Sequence, residues 1–240
     1  MSNQRLHKLI AQAGVASLRK AEAMILEGRV KVNGETINTL GYMASHSDTI
    51  SVDGMNIYGQ TTFYYYLLNK PKNVLSTASD DRGRATVMDY VPKDVRLFPV
   101  GRLDKDTLGA LILTNDGQFA NLMTHPKYEV SKTYEAIILG TLTKAMSDKL
   151  TNGIMLDDGM TQPATINFTQ FQKEKGTTIV SLTIHEGKNR IVRRMFEALN
   201  VNLVKLTRTH IGFLGLDGLP VGHVRVIKPF EVKKLKALVK

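Results

Sequence analysis

The beginning of the chain has the residue spacing of two helices followed by a hairpin. Apolar residues recur three and four positions apart over residues 6–13, which is the spacing of one helix face. Ser17, a residue type that favours helix N-caps, predicts the start of a second helix that ends at Gly28. Valines alternate with cations before Asn33-Gly34, a pair suited to a tight hairpin turn. Residues 54–62 have neither period, so we place a domain boundary near residue 60.

The remainder of the chain, residues 61–240, consists mainly of predicted strands. Apolar runs at 63–68, 110–113, 130–139 and 177–184 have strand length and composition. Helical spacing returns at 143–152 and after Ile191. Residues 231–240 predict a basic amphipathic helix, which we expect to be a solvated end of the chain.

Composition favours a polyanionic partner and excludes several chemistries. The formal charge is +10 and the pI about 9.7, so nucleic acid is the first candidate partner and an anionic membrane the second. No apolar run reaches the ~18–20 residues of a membrane span, and no signal-peptide core is visible, so we expect a cytoplasmic protein with no membrane partner. With no cysteine and no paired histidines, we expect no metal site.

A polar turn between two predicted buried strands contains the first candidate site. Its residues are Gly101-Arg-Leu-Asp-Lys-Asp106, and these charged side chains cannot all point to water between buried strands. One interpretation is an ordinary surface ion pair, worth ~0–1 kcal/mol. The other is a functional carboxylate, for which Asp104 is the candidate.

A second cluster of charge lies at the start of the helix predicted after residue 185. Lys188, Arg190, Arg193 and Arg194 concentrate positive charge where the helix dipole disfavours cations unless an anion binds there. This conflict between sequence and local electrostatics indicates a site. The turn Asp157-Asp158-Gly159 is interpreted as a loop, because no partner carboxylate stands at calcium-loop spacing.

The amino-terminal residues resemble the S4 RNA-binding domain. The similarity rests on Arg5-Leu-His-Lys-Leu-Ile-Ala-Gln-Ala-Gly14 and on Glu27-Gly-Arg-Val-Lys-Val-Asn-Gly34, and it covers residues 4–57. The family commonly has an arginine where Leu18 stands, so one phosphate contact is either missing or supplied by Lys20. From charge alone, an ordinary solvated face is equally compatible, because three glutamates dilute the cations. The resemblance implies RNA contacts by Arg5, Lys8, Arg19, Lys20 and Lys31.

Three further motifs resemble ribosomal pseudouridine synthases of the RsuA and RluB type. They lie at 70–77, 99–107 and 186–196, in this order after the S4-like segment. The resemblance implies an α+β fold in which a central mixed, largely antiparallel sheet is flanked by helices. The family often has Gln at the place of Ile191, and Glu or Ser at that of Leu108. By the family's pattern, Asp104 is the essential carboxylate, with Arg102 as its neighbour in the motif and Arg193 as the cation that faces it. Tyr134 is the ring against the target base, and Leu206 adds an apolar contact. The cations at the helix start, Arg190 and Arg194, are expected to contact RNA.

The implied reaction is the isomerisation of uridine to pseudouridine, which needs no cofactor. A carboxylate can add to the sugar or remove a sugar proton, and the residues leave both routes open. The target base must first leave its stack. The run Gly187-Lys-Asn-Arg-Ile-Val-Arg-Arg194 is more similar to the large-subunit type, so we expect the partner to be large-subunit ribosomal RNA or an assembly intermediate. We also expect the protein to be a monomer. The alternatives are an inert RNA-binding or ribosome-assembly protein and an enzyme for small-subunit RNA.

Overall fold

The computed structural model describes residues 3–45, 47–57 and 62–239 and divides into two compact units. The first contains the described residues up to Tyr64 with Asp94–Arg96 and Asn115–Gly117, and the second contains the rest. The boundary predicted near residue 60 falls within residues 58–61, which lie outside the described residues. No helix in the described ranges has the length and apolarity needed to cross a bilayer.

The first unit contains the two helices and the hairpin that the residue spacing predicts, together with further short antiparallel strands. The Ser17 hydroxyl accepts a hydrogen bond from the Lys20 amide, so it caps the second helix. Asn33 and Gly34 both have positive φ, which is the predicted hairpin turn. A small core of residues including Leu6, Ile25 and Val30 joins the helices to the sheet. The elements are β1 (Gln4–Arg5), α1 (Leu6–Gln12), α2 (Leu18–Leu26), β2 (Val30–Val32), β3 (Glu35–Ile37), β4 (Met43–Ala44), β5 (Ile50–Val52) and β6 (Met55–Ile57).

The interpretation of residues 54–62 as lacking a strand is wrong for β6. This strand pairs antiparallel with β5 through a second hairpin, in which Asp53 and Gly54 have positive φ. Three residues are too few to show an alternating period, so only the Asp-Gly turn could have signalled this strand.

The second unit is built on one large sheet. The strands follow the order β13-β14-β10-β15-β9-β7-β17, with β8 beside β9 and β16 beside β15. The remaining elements are β7 (Tyr65–Lys70), β8 (Phe98–Pro99), β9 (Leu108–Thr114), α3 (Gly117–Thr124), β10 (Lys132–Leu139), α4 (Lys144–Asn152), β11 (Met155–Leu156), β12 (Gly159–Met160), β13 (Thr165–Gln172), β14 (Thr177–Ile184), α5 (Ile191–Ala198), β15 (Leu203–Ile211), β16 (Leu214–Gly215), β17 (Val224–Val226) and α6 (Pro229–Ala237). Two 3₁₀ turns lie at Val87–Tyr90 and Pro126–Tyr128.

The sheet is mixed and largely antiparallel, as the resemblance implied. Only the pair β15 and β9 runs parallel in this sheet of the described chain. Along β9, Ala110 to Leu113 are fully buried, and only Ala110 and Ile112 belong to the core that includes α3. Both faces of β9 are therefore covered, which explains its continuous apolar run.

The carboxyl-terminal helix α6 corrects one prediction. Val232 and Leu235 are buried and belong to the same core as Leu67 of β7 and Phe119 of α3. The helix is therefore part of the fold and is not a solvated end. The sequence of this helix is rich in lysine, which favoured the interpretation of a solvated end. Two apolar side chains on one face are nevertheless enough to dock a short helix.

Candidate active site

The order of strands brings the predicted site residues to one cleft. Strand β15 lies between β10 and β9, and the loop of residues 100–107 leads directly into β9. The cleft has a volume of about 150 Å³. Its lining includes Asp104 from this loop, Tyr134 from β10, Leu206 from β15 and Arg193 from α5. Residues far apart in the chain thus meet because their strands are neighbours.

Asp104 and Arg193 form an ion pair in this cleft. The Arg193 Nε lies 3.6 Å from Asp104 Oδ2, and the two side chains are 16% and 30% exposed. The same guanidinium donates from Nε and Nη2 to the Thr107 hydroxyl at 3.3 and 3.2 Å. Thr107 is itself buried, so it orients the arginine toward the carboxylate. The pair is held in place and still open to a ligand.

The segment of residues 70–77, which the sequence marked as a motif without a role, anchors the loop that carries Asp104. Ser76 Oγ donates to the Leu103 carbonyl at 2.8 Å and accepts from the Leu103 amide at 3.1 Å. The Asn73 amide donates to the Lys105 carbonyl at 2.8 Å. Asp104 therefore lies between two residues whose backbones are hydrogen-bonded to one neighbouring segment.

Lys70 also holds the loop that carries Asp104, through hydrogen bonds to its backbone carbonyls. Its side chain is fully buried, and Nζ donates to the carbonyls of Pro71, Lys105 and Thr107 at 2.9, 3.3 and 3.0 Å. Burial lowers the pKa of Lys70 to about 8, while the nearby carboxylates of Asp106 and Asp104 act in the opposite direction. A buried ammonium with three carbonyl acceptors fixes the turn that precedes β9.

The other predicted pocket residues lie around this pair. Tyr134 and Leu206 are buried, with 8% and 3% of their surfaces exposed, and both line the cleft. Arg102 lines the same cleft from an exposed position. In the register of β10 and β15, Tyr134 pairs with Arg208, so the arginine is the cross-strand neighbour of the ring.

The cations predicted to contact RNA fall into two groups. Arg190 and Arg194 are partly neutralised: Arg190 lies 3.3 Å from Glu197, and Arg194 lies 2.7 and 2.8 Å from the two aspartates of the 157–158 turn. That turn, interpreted from the sequence as a loop, connects β11 and β12 and provides the counter-ions of Arg194. In the first unit, exposed side chains that form no ion pair with described residues are Arg5, Lys8, Arg19, Lys20 and Lys31.

Within residues 3–45, 47–57 and 62–239, no three histidine or carboxylate side chains are grouped closely enough to hold a metal ion. The cleft is lined by two carboxylates, Asp104 beside Arg193 and Glu186 beside Lys188, together with a tyrosine ring, apolar side chains and further cations.

Comparisons with known proteins assign the chain to a family. Residues 64–198 match the family model described as RNA pseudouridylate synthase, and residues 4–50 match the S4 domain. A protein of Bacillus subtilis (strain 168) named ribosomal large subunit pseudouridine synthase B is 50% identical over 238 residues, which is 98% of this chain and 96% of that protein. The chain belongs to the RNA pseudouridine synthase family.

Other relatives agree with this assignment. An uncharacterized RNA pseudouridine synthase of Aquifex aeolicus (strain VF5) is 38% identical, over 98% of the present chain and 94% of the Aquifex protein. A solved structure titled crystal structure of pseudouridylate synthase is 30% identical and has a TM-score of 0.70. The match covers 96% of the present chain and 99% of the chain in that structure. The fold is therefore a pseudouridine synthase fold that follows an S4 domain.

Sequence reasoning missed several residues of the cleft of this synthase. Thr107, Lys132 and Arg208 line it, and Lys70 lies beneath its loop. A lysine or arginine inside a strand is the signal that could have drawn attention to Lys70, Lys132 and Arg208, because strand interiors rarely bury such residues. Nothing in the sequence marks Thr107 beyond its place in the motif.

Proposed function

We propose that the synthase converts one or a few uridines of large-subunit ribosomal RNA to pseudouridine, with Asp104 as the essential carboxylate. The observation that carries this proposal is the Asp104–Arg193 pair, 3.6 Å apart, in a cleft that also holds Tyr134. The choice of the large subunit draws on the Bacillus subtilis relative, whose name states that substrate.

The residues of the cleft divide the chemistry among them. Asp104 either adds to the sugar or removes a sugar proton, and in both cases the bond from C1′ to N1 breaks and a bond from C1′ to C5 forms. Arg193 stabilises the ionised carboxylate, since opposite charges at this distance attract. Tyr134 stacks on the uracil and Leu206 supplies an apolar contact. Arg102 binds the RNA substrate at the rim of the cleft. Such contacts offset the few kcal/mol needed to unstack the base.

The rest of the proposal concerns binding and context. The domain of residues 1–60 holds folded RNA through its exposed cations, and residues 61–240 carry out the reaction without a cofactor. Arg190 and Arg194 add contacts near the cleft, where their partial neutralisation weakens each contact. The synthase acts in the cytoplasm as a monomer on ribosomal RNA or on an assembly intermediate.

The decisive experiment replaces the carboxylate. Asp104→Asn keeps the shape and removes the charge, so we expect no isomerisation, with RNA affinity within a few-fold of the wild type. Tritium release from RNA labelled at uracil C5 measures turnover. The matched control is Asp106→Asn, an exposed carboxylate two residues away, which should retain most activity. Appreciable turnover by Asp104→Asn would contradict the assignment.

The substrate is tested separately, with both ribosomal RNAs. Purified synthase is incubated with protein-free large-subunit and small-subunit RNA, and the modified uridines are mapped. We expect modification of the large-subunit RNA only, in a fragment whose local hairpin is folded. Modification confined to small-subunit RNA would overturn the substrate and leave Asp104 untouched. Binding of both RNAs without any modification, on RNA or on assembly intermediates, would favour the inert RNA-binding protein.

A further inference from the structure

A buried arginine and a half-buried lysine line the cleft without a role in the mechanism above. Arg208 of β15 is only 5% exposed, and its Nε donates to the Ala110 carbonyl at 2.7 Å. Its Nη2 is buried and has no hydrogen-bond partner among the described residues. The guanidinium is thus anchored through Nε, while its Nη2 donors are left unused.

Lys132 of β10 is the second of these cations. Its Nζ donates to the Val130 carbonyl at 2.8 Å. Burial lowers the pKa of Lys132 to about 8, and the charge of Arg208 acts in the same direction. In the described part of the chain no carboxylate lies within 4 Å of either cation. Charges that are withdrawn from water without a counter-ion are unfavourable, so this buried arginine and half-buried lysine suit a ligand that brings negative charge.

The position of Arg208 indicates which part of a bound nucleotide would bring that negative charge. Tyr134 and Arg208 are directly paired across β10 and β15, and both line the cleft. Side chains of such pairs have Cβ atoms roughly 4.5–5.5 Å apart. A base that stacks on the Tyr134 ring therefore has its edge beside the guanidinium. The sugar then faces the Asp104 and Arg193 pair, since Asp104 is the carboxylate proposed to act on it.

We propose that Arg208 is a catalytic residue that donates a hydrogen bond to a carbonyl oxygen of the target uracil, with Lys132 as the second cation beside the base. The inference rests on the proposed function. When the C1′–N1 bond breaks, its electron pair leaves with the base, and the uracil is an anion. The two cations stabilise that anion until C5 bonds to C1′. The base then loses the C5 proton and gains one at N1, so no oxidant or reductant is needed.

The test compares two leaving groups in one RNA fragment that the wild type modifies. The target position holds uridine or 5-fluorouridine, whose fluorine withdraws electrons and stabilises the departing anion. Single-turnover loss of the original nucleoside is followed by chromatography. We expect Arg208→Met to slow the uridine substrate by about 10²–10³-fold, the effect of removing one donor to a developing anion. With 5-fluorouridine the decrease in rate should be smaller by on the order of tenfold, because the departing fluorouracil anion needs less stabilisation by the protein.

A second variant keeps the test valid if Arg208→Met does not fold. Lys132→Met removes a half-buried charge that has no counter-ion and keeps the side-chain volume, so its melting curve should match or exceed that of the wild type. Like Arg208→Met, this variant should lose less of the single-turnover rate with 5-fluorouridine than with uridine. The control is Arg190→Gln at the exposed edge, which should slow both substrates equally.

Two outcomes would overturn the inference. Equal losses with both substrates would mean that the cations bind phosphate or are merely structural, and unchanged rates would mean that they do not touch the base. Failure of the proposed function is distinguishable, because the wild type itself would then form no pseudouridine in the uridine RNA.

Discussion

Replacing Lys70 with methionine should separate the activity of the synthase from its stability. The variant removes the ammonium that holds the turn before β9 and leaves the aliphatic part of the side chain. Lys105 keeps a donor, because its carbonyl also accepts from the Asn73 amide. The carbonyls of Pro71 and Thr107 lose theirs. Asp104 lies at the start of the turn that is loosened.

The change in stability follows from two opposing terms. Two carbonyls that lose a donor cost ~1–3 kcal/mol each. Against this, the pKa of Lys70 falls from 10.5 to about 8, and at ~1.4 kcal/mol per unit the relief of burying that charge is ~3 kcal/mol. The difference between the terms lies between about −1 and +3 kcal/mol, so the free energy of unfolding should change by at most ~3 kcal/mol. The rate should fall by more than about tenfold, because displacement of a catalytic group is far more costly.

Urea unfolding and single-turnover tritium release measure the two quantities on the same preparation. The matched control is Lys72→Met, an exposed lysine two residues along the chain, for which the free energy of unfolding should change by less than ~0.5 kcal/mol. A Lys70→Met variant with wild-type rate would refute the reasoning that this buried cation positions Asp104. A variant too unstable to purify would show that the estimated cancellation is wrong.

Three further outcomes follow from the structure. Gly109→Ala should prevent folding in a solubility and circular dichroism assay, because φ is +110° and a Cβ would overlap the backbone of β15. Replacing Arg19 and Lys20 with Gln should lower the log–log salt slope of RNA binding by roughly 1.4–1.8, whereas Arg29→Gln, whose charge is already paired with carboxylates, should change it little. Burial lowers the pKa of Lys132 to about 8, so between pH 8 and 10.5 the unfolded chain keeps a proton that the native chain has lost. The contribution of Lys132 to stability therefore rises with pH there, by at most ~1.4 kcal/mol per pH unit and in addition to that of Lys70, and Lys132→Met should reduce the total slope in unfolding titrations.

The sequence alone determined the local elements and the family. Helix caps and hairpin turns such as Ser17 and Asn33-Gly34 depend on residues only a few positions apart, so local chemistry decides them. The motifs at 99–107 and 186–196 led to Asp104 and Arg193 for the same reason, because each motif keeps its residues in one stretch of chain. The family's pattern then led to Tyr134.

Only the tertiary structure decided what those residues contact. The order of strands around β15 places Arg208 beside Tyr134, and the packing of β7 places Lys70 beneath the loop of Asp104. Burial of Val232 in α6 depends on a core assembled from segments over a hundred residues apart. A charged or short apolar side chain has the same local pattern whether it is solvated or buried, since burial is a property of distant segments. The cations of the cleft therefore became visible only when the sheet brought β9, β10 and β15 together.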